Sequence, residues 1–195
     1  NVKLEKSSLL LGATFSSGKG TGGNINISSD TISINDIDTS LTGYSTIGTY
    51  STDNAKAGDI NIFAGGISLS YGGRINSTTF GKGDGGDINI KSNYILADGY
   101  NLLNFGLTSI ASFTVGEGNS GSITIDTQTL KLLGGANLGS STFDRGNAKR
   151  VKISANYISV GGGTLPIRNG KSFIFSSGIT LDPITAKLLF GTDLN

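Results

Sequence analysis

One phrase recurs five times along the chain: small residues, then two branched apolar residues with a polar one between them. Its copies are Gly22-Gly23-Asn24-Ile25-Asn26-Ile27, Ala57-Gly58-Asp59-Ile60-Asn61-Ile62, Gly85-Gly86-Asp87-Ile88-Asn89-Ile90, Ser120-Gly121-Ser122-Ile123-Thr124-Ile125 and, degraded, Ala148-Lys149-Arg150-Val151-Lys152-Ile153. The first apolar residues, Ile25, Ile60, Ile88, Ile123 and Val151, stand 35, 28, 35 and 28 residues apart. A fixed period of this size marks stacked units, each of which buries its apolar side only against its neighbours.

Aligning the copies predicts three short strands per unit, each alternating with period two. The first carries Ile25/Ile27 and its equivalents. The second begins seven residues later, at Ile32/Ile34, Ile67/Leu69, Ile95/Ala97, Leu130/Leu132 and Ile158/Val160. The third centres on Ile47, Ile75, Ile110 and Leu138. Val2/Leu4 and Leu9/Leu11 match strands one and two of a further copy, followed by a shortened 23-residue repeat. Strands two and three are separated by 13 residues (Ile34 to Ile47, Ala97 to Ile110) or by six (Leu69 to Ile75, Leu132 to Leu138). A seven-residue insertion therefore falls in alternate copies, around Asp36–Leu41 and Gly99–Phe105, and the superperiod is 63 residues (35 + 28). Insertions confined to one turn of a repeat project from one face.

Three strands per turn with glycine-rich corners predict an all-β, right-handed parallel β-helix over residues 1–181, with six to seven rungs of 23, 28 or 35 residues. Rungs about 4.8 Å apart make a rod roughly 30 Å long. An up-and-down antiparallel barrel is the rival; it needs hairpin turns and leaves the three-strand unit unexplained. Ile25, Ile60, Ile88, Ile123 and Val151 form one internal column, and Asn26, Asn61, Asn89, Thr124 and Lys152 an outward polar stripe. The inward positions of strand three continue as Thr49/Ser51, Ser77/Thr79, Ser112/Thr114 and Ser140/Thr142, whose hydroxyls would bond along a ladder between rungs. Their outward neighbours include Tyr50, Phe80, Phe113 and Phe143. Residues 182–195 form a cap or tail: Asp182-Pro183 suits a helix start over Ile184–Phe190, stopped by Gly191.

Composition removes several chemistries. The chain has 195 residues, no Cys, Met, Trp or His, and 15 basic against 14 acidic residues. That leaves no thiol or imidazole chemistry, no disulfide, no Zn or Cu site of the usual kind, and no basic field for nucleic acid. No apolar run reaches the length of a membrane span. Asn1-Val2-Lys3-Leu4 reads as strand, not as a leader, and the missing initiator Met implies a processed chain or part of a longer one. Gly18-x-Gly20-x-x-Gly23, Gly81-x-Gly83-x-x-Gly86 and Gly116-x-Gly118-x-x-Gly121 match the dinucleotide fingerprint, but each precedes a strand where that fingerprint needs a helix. Corners that require positive φ account for them instead.

Gly81-Lys82-Gly83-Asp84-Gly85-Gly86-Asp87 has the composition of a Ca²⁺-binding nonapeptide without its nine-residue period. Asp59 and Asp87 stack on adjacent rungs, yet their column continues to Arg150, which disfavours a cation there. A Thr-x-Thr ice-binding array would have to face outward, and these hydroxyls face in. The carboxylates Asp36, Asp38, Asp98, Glu117, Asp126 and Asp144 are scattered over corners and insertions and offer no acid–base pair. The reading is therefore no catalytic residues, no cofactor and no metal, with any ligand-binding residues left open.

The repeated phrase, together with Gly72-Gly73-Arg74-Ile75-Asn76-Ser77-Thr78-Thr79-Phe80-Gly81-Lys82-Gly83-Asp84-Gly85-Gly86, resembles the repeats of large filamentous-haemagglutinin-like exoproteins, most closely their cyanobacterial members. The resemblance covers residues 1–165. It implies a right-handed parallel β-helix exported by two-partner secretion through an outer-membrane transporter, located outside the cell or on the outer-membrane surface, and acting as an adhesin or surface filament. No functional residues carry over, because the matching positions are structural. Partners on this reading are a host or neighbouring cell surface, or glycans, with no nucleic acid and with end-to-end self-association through open rung edges. The alternative is a β-helical module that binds or degrades polysaccharide.

Overall fold

The computed structural model describes residues 1–15, 20–36, 44–99, 106–162 and 171–178. In chain order its strands are β1 (Val2–Glu5), β2 (Leu9–Thr14), β3 (Ile25–Asn35), β4 (Thr46–Ser51), β5 (Ile60–Ser70), β6 (Arg74–Thr79), β7 (Ile88–Asp98), β8 (Ser109–Thr114), β9 (Ile123–Leu133), β10 (Asn137–Thr142), β11 (Val151–Val160) and β12 (Phe173–Gly178). The odd-numbered strands form one six-stranded sheet and the even-numbered strands another, each in sequence order. Every pairing is parallel. The chain thus winds from one sheet to the other and back, a parallel β-helix of six rungs, and the antiparallel barrel is excluded. Among the described residues there is no helix; the capping helix expected after Asp182 lies outside them.

In β3, β5, β7, β9 and β11, strand one and strand two of the unit run together as one strand of ten or eleven residues with a corner inside it. Along β5 the inward residues are Ile60, Ile62 and Ala64, then Ile67 and Leu69. The step of three from Ala64 to Ile67 breaks the two-residue alternation and bends the strand around the core. Register confirms the expected columns: Ile25, Ile60, Ile88, Ile123 and Val151 lie side by side, as do Ile47, Ile75, Ile110 and Leu138. Together with the strand-two column they make one continuous core, in which Ile60, Ile67, Ile75, Ile88, Ile95 and Ile110 are fully buried.

The first rung differs from the reading of the sequence. Val2 and Leu4 pair with Ile32 and Ile34, and Leu10 pairs with Ile47, so β1 and β2 are strands two and three of their unit, not one and two. The step between rungs here is 30 residues (Val2 to Ile32), not 23. The cue was the six-residue step from Leu4 to Leu10, the same as Leu69 to Ile75 and Leu132 to Leu138. All three steps turn through two residues of positive φ: Lys6 and Ser7, Tyr71 and Gly72, Gly134 and Gly135. In the first turn neither residue is the glycine that usually signals such a turn.

The motif glycines also have a different cause from the one expected. Gly58, Gly86 and Gly121 do not need positive φ; only Gly72, Gly99, Gly134 and Gly135 adopt it among the described glycines. What they need is the absence of a side chain. A Cβ on Gly86 would lie 1.9 Å from the Gly58 carbonyl oxygen, and one on Gly121 1.9 Å from that of Gly86. Gly116, Gly118 and Gly146 stack in the same way on Gly81, Gly83 and Gly118. The glycine-rich corners are columns of backbone packed on backbone, rung over rung.

Candidate functional site

Polar residues of the repeat fall into two groups, those that hold rungs together and those left free to meet a ligand. The inward hydroxyls are fully buried: Thr49, Ser51, Ser77, Thr79, Ser112, Thr114, Ser140 and Thr142. They do not form the expected hydroxyl-to-hydroxyl ladder; among the described residues only Ser51 bonds its counterpart on the next rung, Thr79, at 3.2 Å. The others serve the backbone of the glycine corner. Ser77 accepts the Gly86 amide at 2.8 Å, Ser112 accepts the Gly121 amide at 2.7 Å, and Thr114 donates to the Asn119 carbonyl at 2.9 Å. The corner leaves backbone groups unpaired in the interior, and a buried unpaired backbone group costs more than a hydroxyl left to pair with its like.

The acidic residues are consumed similarly. Asn24 Oδ1 accepts the Asp59 amide, Asp59 Oδ1 the Asp87 amide and Asp87 Oδ1 the Ser122 amide, at 2.8, 2.9 and 2.7 Å. Each carboxylate or amide side chain therefore ties its rung to the next. Outside this column Asp84 accepts from Asn119, and Asn119 in turn from Asn147. Buried Asp36 accepts the Ser45 amide and hydroxyl at 3.0 and 3.1 Å. Glu117 lies between Lys82 and Arg145 at the surface, and Asp126 beside Lys91. No group of three or more metal-ligating residues occurs among the described residues. Asp38 and most of the two insertions lie outside them. On the outer face of the odd sheet, Asn61 donates to Asn26 at 2.9 Å and Asn89 to Asn61 at 3.0 Å, an amide ladder beside an open shelf.

The outer face of the even sheet carries a different set of side chains, rich in aromatic rings. A groove of about 590 Å³ runs across β4, β6, β8 and β10. One wall holds Tyr44 and Leu107, the first residues after the two insertions to be placed in it; the other holds Tyr50, Phe80, Phe113 and Phe143. Phe113 and Phe143 are in tilted contact, with centroids 5.9 Å apart. Between the walls lie Arg74, Asn76 and Asn137. Arg74, Ser109 and Asn137 occupy one outward column on successive rungs. The Arg74 guanidinium carbon sits 3.7 Å from the centre of the Tyr44 ring. Arg74 Nε and Asn137 Oδ1 are buried without a hydrogen-bond partner.

The sequence located the aromatic wall but not Arg74, Asn137 or Tyr44. The outward column four residues before that of Tyr50 and Phe113 would have aligned Arg74 with Ser109 and Asn137. Tyr44 belongs to no column, because it enters from the insertion. No protein-family model, no curated protein and no solved structure matches the chain.

Proposed function

We propose that the chain is a non-catalytic structural and adhesive segment of a large secreted bacterial surface exoprotein of the filamentous-haemagglutinin-like kind. The observation that carries this reading is the use made of the repeat's polar groups. Its hydroxyls and most of its corner carboxylates hold backbone from rung to rung, as a load-carrying rod requires, and the carboxylates that meet lysine or arginine do so in partly exposed surface ion pairs. Such a rod displays whatever its insertions and outer faces present. Export through an outer-membrane transporter and an extracellular or cell-surface location belong to the same proposal. So does end-to-end association, through the edges of β1, β2, β11 and β12 that pair with no further strand among the described residues and the exposed Leu9, Leu11, Phe173 and Ile174.

The alternative, a polysaccharide-binding module, draws on the aromatic groove and is compatible with adhesion; a polysaccharide-degrading enzyme is not. Beads coated with the protein, tested for attachment to cells and to immobilised polysaccharides, separate the readings. Attachment without release of reducing or unsaturated sugar is expected. Release of such ends from any polymer of a plant and bacterial panel overturns the non-catalytic reading.

A further inference from the structure

The groove combines three features with one chemical requirement. Aromatic rings line it on both sides, and Phe80 is 41% exposed. Its only ionised side chain among the described lining residues is Arg74, which has no carboxylate partner there. An unpaired acceptor, Asn137 Oδ1, lies two rungs along the same column, about 10 Å away by strand spacing. Exposed ring faces pack against the C–H face of a sugar as against any apolar surface. The Asn137 acceptor calls for a hydroxyl donor. The guanidinium, held by Tyr44, calls for a planar anion, which it can meet in a forked pair of hydrogen bonds.

We propose that this groove binds a linear polysaccharide bearing carboxylated sugars, with a uronate carboxylate at Arg74, a sugar hydroxyl at Asn137 and sugar faces against Tyr50 and Phe80. The proposal rests on the adhesive reading and gives it a ligand class. Phe80 follows Arg74 by six residues on one rung, roughly 20 Å by strand rise, while Asn137 lies two rungs away, so the ligand runs obliquely, along the strands as well as across them. A neutral glycan would leave Arg74 uncompensated in a partly desolvated site. A sulfate or phosphate ester can fill the same fork, so tighter binding of a sulfated polymer than of oligogalacturonate also overturns the proposal.

The test uses oligogalacturonate and the same oligomer with its carboxyl groups reduced to alcohols, titrated against the intact chain by calorimetry. Binding of the first is expected, and binding at least about tenfold weaker for the second, the scale of one charge-assisted hydrogen bond. Arg74→Gln should erase that difference, and Phe80→Ala should weaken both ligands alike. Equal affinity for the two oligomers, or no binding of either, overturns the proposal. So does a chain that dimerises through this face and loses the dimer in Phe80→Ala. The comparison of the two oligomers needs no variant, so it stands even if Arg74→Gln fails to fold. Failure here leaves attachment to cells untouched, whereas sugar release would remove the adhesive reading itself.

Discussion

Ser112 Oγ accepts the Gly121 amide at 2.7 Å. The same hydroxyl donates to the Gly86 carbonyl on the preceding rung at 3.1 Å, so one small side chain closes the corner of its own rung and fastens it to the one before. Its environment is fully buried, where losing it would leave a donor and an acceptor unpaired. Ser112→Ala should therefore cost about 1–3 kcal/mol in chemical denaturation. Ser112→Thr should recover most of that, since Thr49 fills the equivalent place and donates to Gly58 at 2.6 Å. For comparison, Ile110→Ala on the same strand, which removes fully buried apolar volume, should cost about 2–5 kcal/mol.

The corner glycines make a sharper test, because one member of the column lacks a neighbour beneath it. A Cβ on Gly121 would meet the Gly86 carbonyl carbon at 2.4 Å, backbone on both sides, while a Cβ on Gly23 would meet nothing within 4 Å. Gly121→Ala should destabilise by about 1–3 kcal/mol or more, as overpacking does, with thermal melts as the readout. Gly23→Ala, at the same place in the same phrase, should fall within about 0.5 kcal/mol of the parent. Equal costs at the two positions would mean the glycines serve backbone conformation after all.

The fold was legible because the isoleucine columns are a direct consequence of period: a residue that must be buried on every rung must recur once per rung. The polar roles were less so. Asn24, Asp59, Asp87 and Ser122 align in sequence, but alignment alone does not distinguish a shared cation from a chain of side-chain-to-amide bonds. The difference lies in distances under 3 Å to the next rung's backbone. The turn through Lys6 and Ser7 was missed because its residue types do not advertise positive φ. The groove was half visible, since Tyr50 and Phe113 share one outward column, whereas Tyr44, which stacks on Arg74, lies before β4 and belongs to no column that recurs.

The Asp87 carboxylate is engaged as an acceptor for the Ser122 amide and needs no cation to justify its place. Asp87→Asn keeps an acceptor oxygen there and should change stability by no more than about 0.5 kcal/mol. Asp87→Ala leaves the Ser122 amide without its partner and should cost about 1 kcal/mol. The melting temperature should be the same with millimolar Ca²⁺ as with a chelator. A rise with Ca²⁺ that disappears in Asp87→Asn would show a cation site in this column.

Tyr71 holds φ at 51° in the tight turn between β5 and β6, with Gly72 following at 92° and the Gly73 amide donating to the Ser70 carbonyl at 2.9 Å. Two successive residues of positive φ define the turn that asparagine followed by glycine adopts most readily. A tyrosine in the left-handed region carries a strain of roughly 1–2 kcal/mol that asparagine largely escapes. The ring is 51% exposed, so little packing is lost with it. Tyr71→Asn should accordingly raise stability by about 0.5–1 kcal/mol, read as a higher denaturant midpoint with an unchanged slope. Tyr71→Val, branched at Cβ and least tolerant of that φ, should lower it. If both variants destabilise alike, the exposed ring contributes contacts that outweigh the strain of its backbone.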